Sequence, residues 1–168
     1  MEIKERVGRK LFGWKEKIIS IGGREVLIKA VTQAIPTYTM SYFQLPKGLC
    51  DEIESMMKRF WRGQESKVAW LSWKKLCKSK LKGGMGFRNL QAFNLAMFAK
   101  QGWRLLENPN SLVARMYRAK YYPYGDVLKA SLGSSPSFTW RSIMQGLKVM
   151  RKKNTLESWQ REIDSYLG

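Results

Sequence analysis

Apolar residues recur at spacings of three and four along most of this chain, and proline, glycine and asparagine interrupt the pattern before any helix can grow long. Ile3, Val7, Leu11 and Trp14 share one helical face. Ser20 is placed as the N-cap of a second helix carrying Val26, Leu27, Val31 and Ala34. Pro36 interrupts that helix, and Tyr38 to Leu45 continues as helix beyond it. Pro46 opens a third, with Leu49, Ile53, Met56/Met57 and Phe60 as its apolar face, ending at Gly63. Residues 64–71 form a connector, extended around Val68 to Trp70. Ser72 caps a short helix through Lys78, Lys82 to Asn89 is a glycine turn, and Asn89 caps the longest helix, over 90–107. Asn108-Pro109-Asn110 breaks it, and a further helix covers 111–121. Tyr122 to Pro136 is a loop, and Ser137 starts a helix to Met150. Asn154 and Glu157 resemble a capping box for a last one. The expected fold is mainly α: an irregular multi-helix bundle of about six to eight helices, with a glycine-rich turn and little or no sheet.

Charge narrows the partner. The 168 residues hold 31 Lys+Arg against 13 Asp+Glu, a formal net charge of +18. Such a domain repels itself unless a polyanion relieves it, and 44% hydrophobic residues supply enough apolar surface for a packed core. The charge is also uneven. Ser66 to Leu106 contains nine Lys or Arg and no acid, and Val127 to Leu156 contains six and no acid. Both stretches are interleaved with aromatics, which favours nucleic acid.

Several chemistries are excluded by residues the chain does not have. It contains no histidine, which removes Ser-His-Asp and Cys-His centres and every His-containing zinc knuckle. Two cysteines, Cys50 and Cys77, cannot build a four-cysteine site or a disulfide framework, so a reduced thiol state is expected. Two-metal nucleases and polymerases need convergent carboxylates. The one tight acid cluster, Asp51, Glu52 and Glu54, reads instead as a solvated face balancing Lys58 and Arg59 along a helix dipole. Asp126 is a lone acid in a turn. Gly83-Gly84-Met85-Gly86 lacks the terminal Gly-Lys-Ser/Thr of a phosphate loop, and reads as a turn. No enzyme activity, metal or cofactor is expected. The apolar runs are too short to span a bilayer and the first ten residues lack the apolar core of a secretory signal, so an intracellular protein is expected, nuclear first and organellar as the alternative.

Phosphates attract Lys and Arg without reading sequence, so the candidate contacts are the basic clusters. The first is Lys74, Lys75, Lys78, Lys80, Lys82 and Arg88, around the short helix and glycine turn. The second is Lys100, Arg104, Arg115, Arg118 and Lys120. Arg151-Lys152-Lys153 is a third contact or a helix terminus. Trp70 and Trp73 lie beside the basic turn, within reach of a sugar or base unless they pack in the core. Tyr121 and Tyr122 are better placed for exposure than Trp103.

An ordered series of short motifs adds a resemblance. It runs Gly13-Trp14-Lys15; Ser20-Ile21-Gly22-Gly23-Arg24-Glu25-Val26-Leu27-Ile28-Lys29; Ala34-Ile35-Pro36-Thr37-Tyr38-Thr39-Met40-Ser41; Leu45-Pro46; and Phe60-Trp61-Arg62-Gly63. It continues through Trp70-Leu71-Ser72-Trp73-Lys74-Lys75-Leu76-Cys77, Gly83-Gly84-Met85-Gly86-Phe87-Arg88, Phe93-Asn94 and Ala99-Lys100-Gln101-Gly102-Trp103-Arg104. It closes on Tyr122-Pro123 and Pro136-Ser137-Phe138-Thr139-Trp140-Arg141-Ser142-Ile143. Over about residues 1–145 this resembles the region after the polymerase palm in the reverse transcriptases of plant non-LTR (long interspersed element) retrotransposons. Chains of this kind are also labelled reverse transcriptase-like or ribonuclease H proteins.

The resemblance implies a thumb-like helical segment at 1–63 and a basic helical connection segment at 64–153, cradling a template–primer duplex. The polymerase aspartates would lie upstream and the RNase H-like part downstream. The 168 residues contain neither, so polymerase activity does not carry over. Arg62 stands where the family pattern has a second tryptophan, and residues 154–168 read as a divergent C-terminal helix. The expected function is non-catalytic, sequence-independent binding of RNA, DNA or an RNA–DNA hybrid, with a reverse transcriptase palm domain as a further candidate partner and no membrane. The alternatives are an accessory part of an RNA-directed DNA polymerase whose palm is on another chain, and a protein-interaction or decayed fragment without activity.

Overall fold

The computed structural model describes residues 2–14, 19–63 and 71–152; the expected connector strand around 68–70 and the helix capped by Asn154 lie outside them. Among the described residues the chain is helical with no strand, in eight α-helices: α1 (Glu2–Gly13), α2 (Ile21–Leu27), α3 (Thr37–Tyr42), α4 (Lys47–Arg62), α5 (Trp73–Leu76), α6 (Leu90–Glu107), α7 (Leu112–Tyr121) and α8 (Phe138–Lys152). The mainly α expectation therefore holds. Two compact units are formed, one by Met1–Met40 with Leu45–Ala92, the other by Ser41–Gln44 with Phe93–Gly168.

The polar caps read from the sequence are made. Ser20 Oγ accepts the Gly23 N–H at 3.2 Å, Ser72 Oγ the Lys75 N–H at 3.3 Å, and Asn89 Oδ1 the Ala92 N–H at 2.8 Å. Ser137 does the same for α8, and Ser111, not singled out as a cap from the sequence, does so for α7. Each satisfies one of the donors a helix start leaves orphaned.

In the first unit α1 packs on α4, burying Val7 and Leu11 against a face made of Cys50, Ile53, Met57, Phe60 and Trp61. That face is rotated from the expected one: Leu49 is only half-buried, and Cys50, Glu54 and Trp61 are inside. The second helix differs more. After Leu27 the backbone widens into one π-helical stretch, Ile28–Thr32, where the Gln33 N–H reaches back to the Ile28 carbonyl at 2.9 Å. The extra residue re-registers the helix. Ile28, Thr32 and Gln33 become buried while Val26 is 62% exposed, so the apolar face predicted at Val26, Val31 and Ala34 is not the packed one. α3 stops at Tyr42, so the expected helix to Leu45 is cut short.

The second unit is built around Trp140, which is fully buried. Tyr121 stacks on it with ring centroids 4.6 Å apart and planes 4° from parallel, and Tyr117 and Tyr122 stack at 5.3 and 5.9 Å. Leu105, Ala114, Val127, Ile143, Met144 and Leu147 fill the same core. Tyr121 and Tyr122 are therefore packed side chains and not free stacking surfaces. Trp140 recruits them because three rings around one indole bury more apolar area than any solvent-facing arrangement.

Candidate nucleic-acid interface

The basic turn between α5 and α6 is a closed structure. The Lys82 N–H donates to the Ser79 carbonyl at 2.9 Å, Gly83 to Lys80 at 3.1 Å and Gly84 to Ser79 at 3.0 Å. Met85 and Phe87 both donate to the Leu76 carbonyl, at 2.9 and 3.3 Å, and Gly86 donates to Lys78 at 2.8 Å. Every one of these N–H groups points inward, so none is left to cradle a phosphate. Gly83 and Gly86 take positive φ, 71° and 69°, and Gly84 serves close packing, since a Cβ there would collide with the Lys78 backbone carbonyl. Phe87 anchors the far side. It stacks on Trp73 at 5.2 Å and 13° and meets Trp61 edge-on at 5.3 Å. Trp73 is thereby buried and out of reach of a base, while Trp70 lies outside the described residues.

On α5 and this turn Lys74, Lys75, Lys78, Lys80 and Lys82 are all exposed, and Arg88 is half-buried. Among the described residues Lys74, Lys75, Lys78 and Lys82 have no acidic partner within ion-pair distance. Lys80 does have one. Its Nζ lies 2.8 Å from Glu25 Oε1, the same oxygen that Lys29 Nζ approaches at 2.8 Å. The two ammonium groups hold the Glu25 carboxyl below its usual range, Lys29 first and Lys80 second, against burial, which pulls the other way. Lys29 also lies 5.9 Å over the Phe87 ring. The structure thus adds Lys29 and Glu25 to a site the sequence drew only from 74–88. The Glu25/Lys29 spacing of four was a legible signal; the third member, fifty-five residues on, was not.

The neighbouring Arg24 has a different task. Its Nη1 donates to the Trp61 carbonyl at 3.2 Å and its Nε to the Ile19 carbonyl at 3.2 Å, so it closes the end of α4 from α2. The run Ser20 to Lys29 is therefore a structural hub: a cap at Ser20, a clamp at Arg24 and a charge bridge at Glu25.

The acid cluster is corrected. Asp51 and Glu52 are exposed as expected, and Glu52 pairs with Lys4 at 2.7 Å. Glu54 is buried, and its Oε1 accepts the Leu90 N–H at 2.7 Å, capping the first turn of α6. Burial pushes its carboxyl above the ordinary value. The Leu90 N–H opposes that, as does the Trp73 indole, which lies close by without reaching hydrogen-bond geometry. Burial, with Glu54 as a second cause, also pushes the Cys50 thiol up to about 11 and Cys77 up to about 12. Neither offers a thiolate at neutral pH. Among the described residues no group of three or more His, Cys, Asp or Glu is placed to hold a metal ion, and no helix is long and apolar enough to cross a membrane.

The second basic group belongs to the other unit and is less concentrated. Lys100 and Arg104 lie one turn apart on α6, half-buried and exposed respectively. Arg115 and Arg118 are likewise neighbours on α7, and both are exposed. Lys120 projects about 140° round that helix from Arg115, with its Nζ 5.4 Å over the Tyr121 ring. One α7 surface therefore cannot present all three cations together. Arg151 is exposed but tied to the fold, its Nη2 donating to the Ala130 carbonyl at 2.9 Å. Asp126 caps a 3-10 turn at Val127–Lys129 by accepting the Leu128 N–H at 3.2 Å.

No family model and no solved structure matches the chain. Two proteins of Arabidopsis thaliana are similar to it. One, named "Putative ribonuclease H protein At1g65750", is 36% identical over 153 residues, which are 88% of this chain but 24% of that much longer protein. The other, an uncharacterized mitochondrial protein (AtMg00310), is 42% identical over 123 residues, 71% of this chain and 80% of the relative. Identity of that degree over most of the relative's length shows that the chain belongs to the family of the mitochondrial protein AtMg00310.

Proposed function

We propose that this is a retroelement-derived, non-catalytic module that binds nucleic-acid backbones without reading sequence, and that the lysine turn at 74–88 is its principal contact. One observation carries the reading: exposed lysines on and beside a turn closed by backbone hydrogen bonds from Lys82, Gly83, Gly84, Met85, Gly86 and Phe87. Such a turn contributes charge at fixed positions with little ordering entropy to lose on binding. The absence of an acid from Ser66 to Leu106 keeps that charge from being neutralised along the chain. Lys100 and Arg104, and Arg115 and Arg118, would supply further phosphate contacts.

The retroelement origin rests on the ordered motifs from Gly13 to Ile143 and is supported by the similarity to a protein with a ribonuclease H name. The expected ligand is an RNA–DNA hybrid or a related template–primer duplex. A second reading, an accessory part of an RNA-directed DNA polymerase, is favoured by one observation: the chain is similar to 24% of a longer protein, as a component domain would be.

The test is binding of purified protein to a short RNA–DNA hybrid across a salt series. Log affinity should fall linearly with log salt, with a slope near 0.9 per phosphate contacted. Charge reversal at Lys78, Lys80 and Lys82 should weaken binding to all sequences equally. A folded triple variant with unchanged affinity would refute the assignment. Polymerase activity restored only by mixing the chain with a separate palm fragment would move the reading to the accessory role.

A further inference from the structure

We propose that Leu81 is an apolar wedge that enters a base step of a nucleic-acid duplex while the lysines around it hold the flanking phosphates. This rests on the reading of the turn as a nucleic-acid contact and goes beyond it by naming a side chain that opens a base step of the duplex. Leu81 is 100% exposed, at the centre of the 3-10 turn Lys80–Lys82. A lone exposed leucine on a polar surface needs no explanation. This one stands between two exposed lysines, with Lys78 preceding them, on the tightly bonded loop described above. The Lys82, Gly83 and Gly84 N–H groups, bonded back to the Ser79 and Lys80 carbonyls, close the turn around it.

The chemistry of the side chain selects the ligand. Single strands are held by flat rings on which bases stack. The rings beside this turn, Trp73 and Phe87, are turned into the core and stacked on each other. A branched aliphatic group has no face for stacking, but it can slip between stacked base pairs and force them open. Minor-groove proteins use leucine, isoleucine and methionine in this way, with cations on the adjoining phosphates. Lys80 and Lys82 stand one residue either side of Leu81, which supplies cations on both flanks of the wedge.

The experiment compares wild type, Leu81→Ala and Leu81→Phe on two probes. One is a duplex carrying 2-aminopurine at a pyrimidine–purine step; the other is an unstructured single strand of the same length. Wild type should raise the 2-aminopurine signal as the step unstacks. Leu81→Ala should lose that signal and bind the duplex about tenfold more weakly, with single-strand affinity and salt slope unchanged. Leu81→Phe, which keeps a wedge, should retain the signal. As Leu81 touches no core, the variants fold as wild type does. Salt-dependent duplex binding that is equally tight and equally unstacking in Leu81→Ala would overturn the wedge alone. Failure of wild type to bind either probe would overturn the phosphate reading beneath it as well.

Discussion

Replacing Glu25 by glutamine should tighten nucleic-acid binding while slightly destabilising the fold, an opposition that follows from the geometry of one oxygen. Glu25 Oε1 sits 2.8 Å from both Lys29 and Lys80. Lys80 must leave it, or share it, to meet a phosphate. Its side chain is 66% exposed, against 34% for Lys29, so Lys80 is the cation that the substitution releases. A phosphate contact contributes a salt slope of about 0.9. At 0.15 M salt that corresponds to roughly 0.7 log units, or about fivefold in affinity, with the slope steeper by about 0.9. The stability lost should be about 1 kcal/mol or less, since exposed and half-exposed ion pairs contribute little and glutamine keeps the shape. The pH dependence has a definite sign. The Glu25 carboxyl is held below its ordinary value of 4.5, so its contribution is present above that pH and disappears as pH falls through the lowered value. Glu25→Gln should therefore be less sensitive to acid in that window.

The assay is a fluorescence-anisotropy titration on an RNA–DNA hybrid at several salt concentrations, with thermal melts on the same samples. Lys80→Gln and the Glu25→Gln/Lys80→Gln double variant complete a cycle. If Lys80 is the released cation, Glu25→Gln gains affinity only while Lys80 is present. An equal gain in the double variant would assign the effect to general charge. No gain in a folded Glu25→Gln protein would refute the idea that Glu25 holds Lys80 back from phosphate.

Substitutions at two further positions test the scaffold. Glu54→Ala should cost about 1–3 kcal/mol, because it strands the buried Leu90 N–H, whereas Glu54→Gln keeps an acceptor and should be near neutral in denaturant unfolding. Burial raises the Glu54 carboxyl above 4.5, so its ionised form is the disfavoured one. Wild type should gain stability as pH falls through the raised value towards 4.5, and Glu54→Gln should lose that acid-side gain. Gly146→Ala should destabilise the second unit by roughly 2–3 kcal/mol, since a Cβ there would meet the α6 backbone at Phe98–Ala99, which cannot swing aside as a side chain would. A melting temperature within a degree of wild type would contradict that packing.

Much of the fold was legible because caps and breaks are local. Ser20, Ser72, Asn89, Ser111 and Ser137 each accept an N–H three residues on, a bond the sequence spells out by residue type and spacing. The faces between those marks were less legible. A single π-helical stretch at Ile28–Thr32 changes the register at the end of the second helix, and no composition signal announces it. One of the boundaries between the two units falls within α6, at Ala92/Phe93. Periodicity cannot mark such a place, since the chain breaks no hydrogen bond there.

The site was legible as charge and illegible as geometry, and the difference lies in where acids come from. Counting Lys and Arg between Ser66 and Leu106 found an uncompensated stretch, but compensation is a matter of space. Lys80 is met by Glu25, from a helix fifty-five residues earlier, while Lys78 and Lys82 on the same turn meet no acid among the described residues. The same reasoning separates Glu54 from Asp51 and Glu52. All three share one helix, and Asp51 also reaches the first turn of α6, where its exposed Oδ1 accepts the Gln91 side-chain N–H at 3.1 Å, yet only Glu54 is buried there, where the Leu90 N–H makes a buried carboxylate tolerable. A charged residue's role here is set by which backbone or counter-ion the fold carries to it. The lysines left without one are therefore the ones to mutate first.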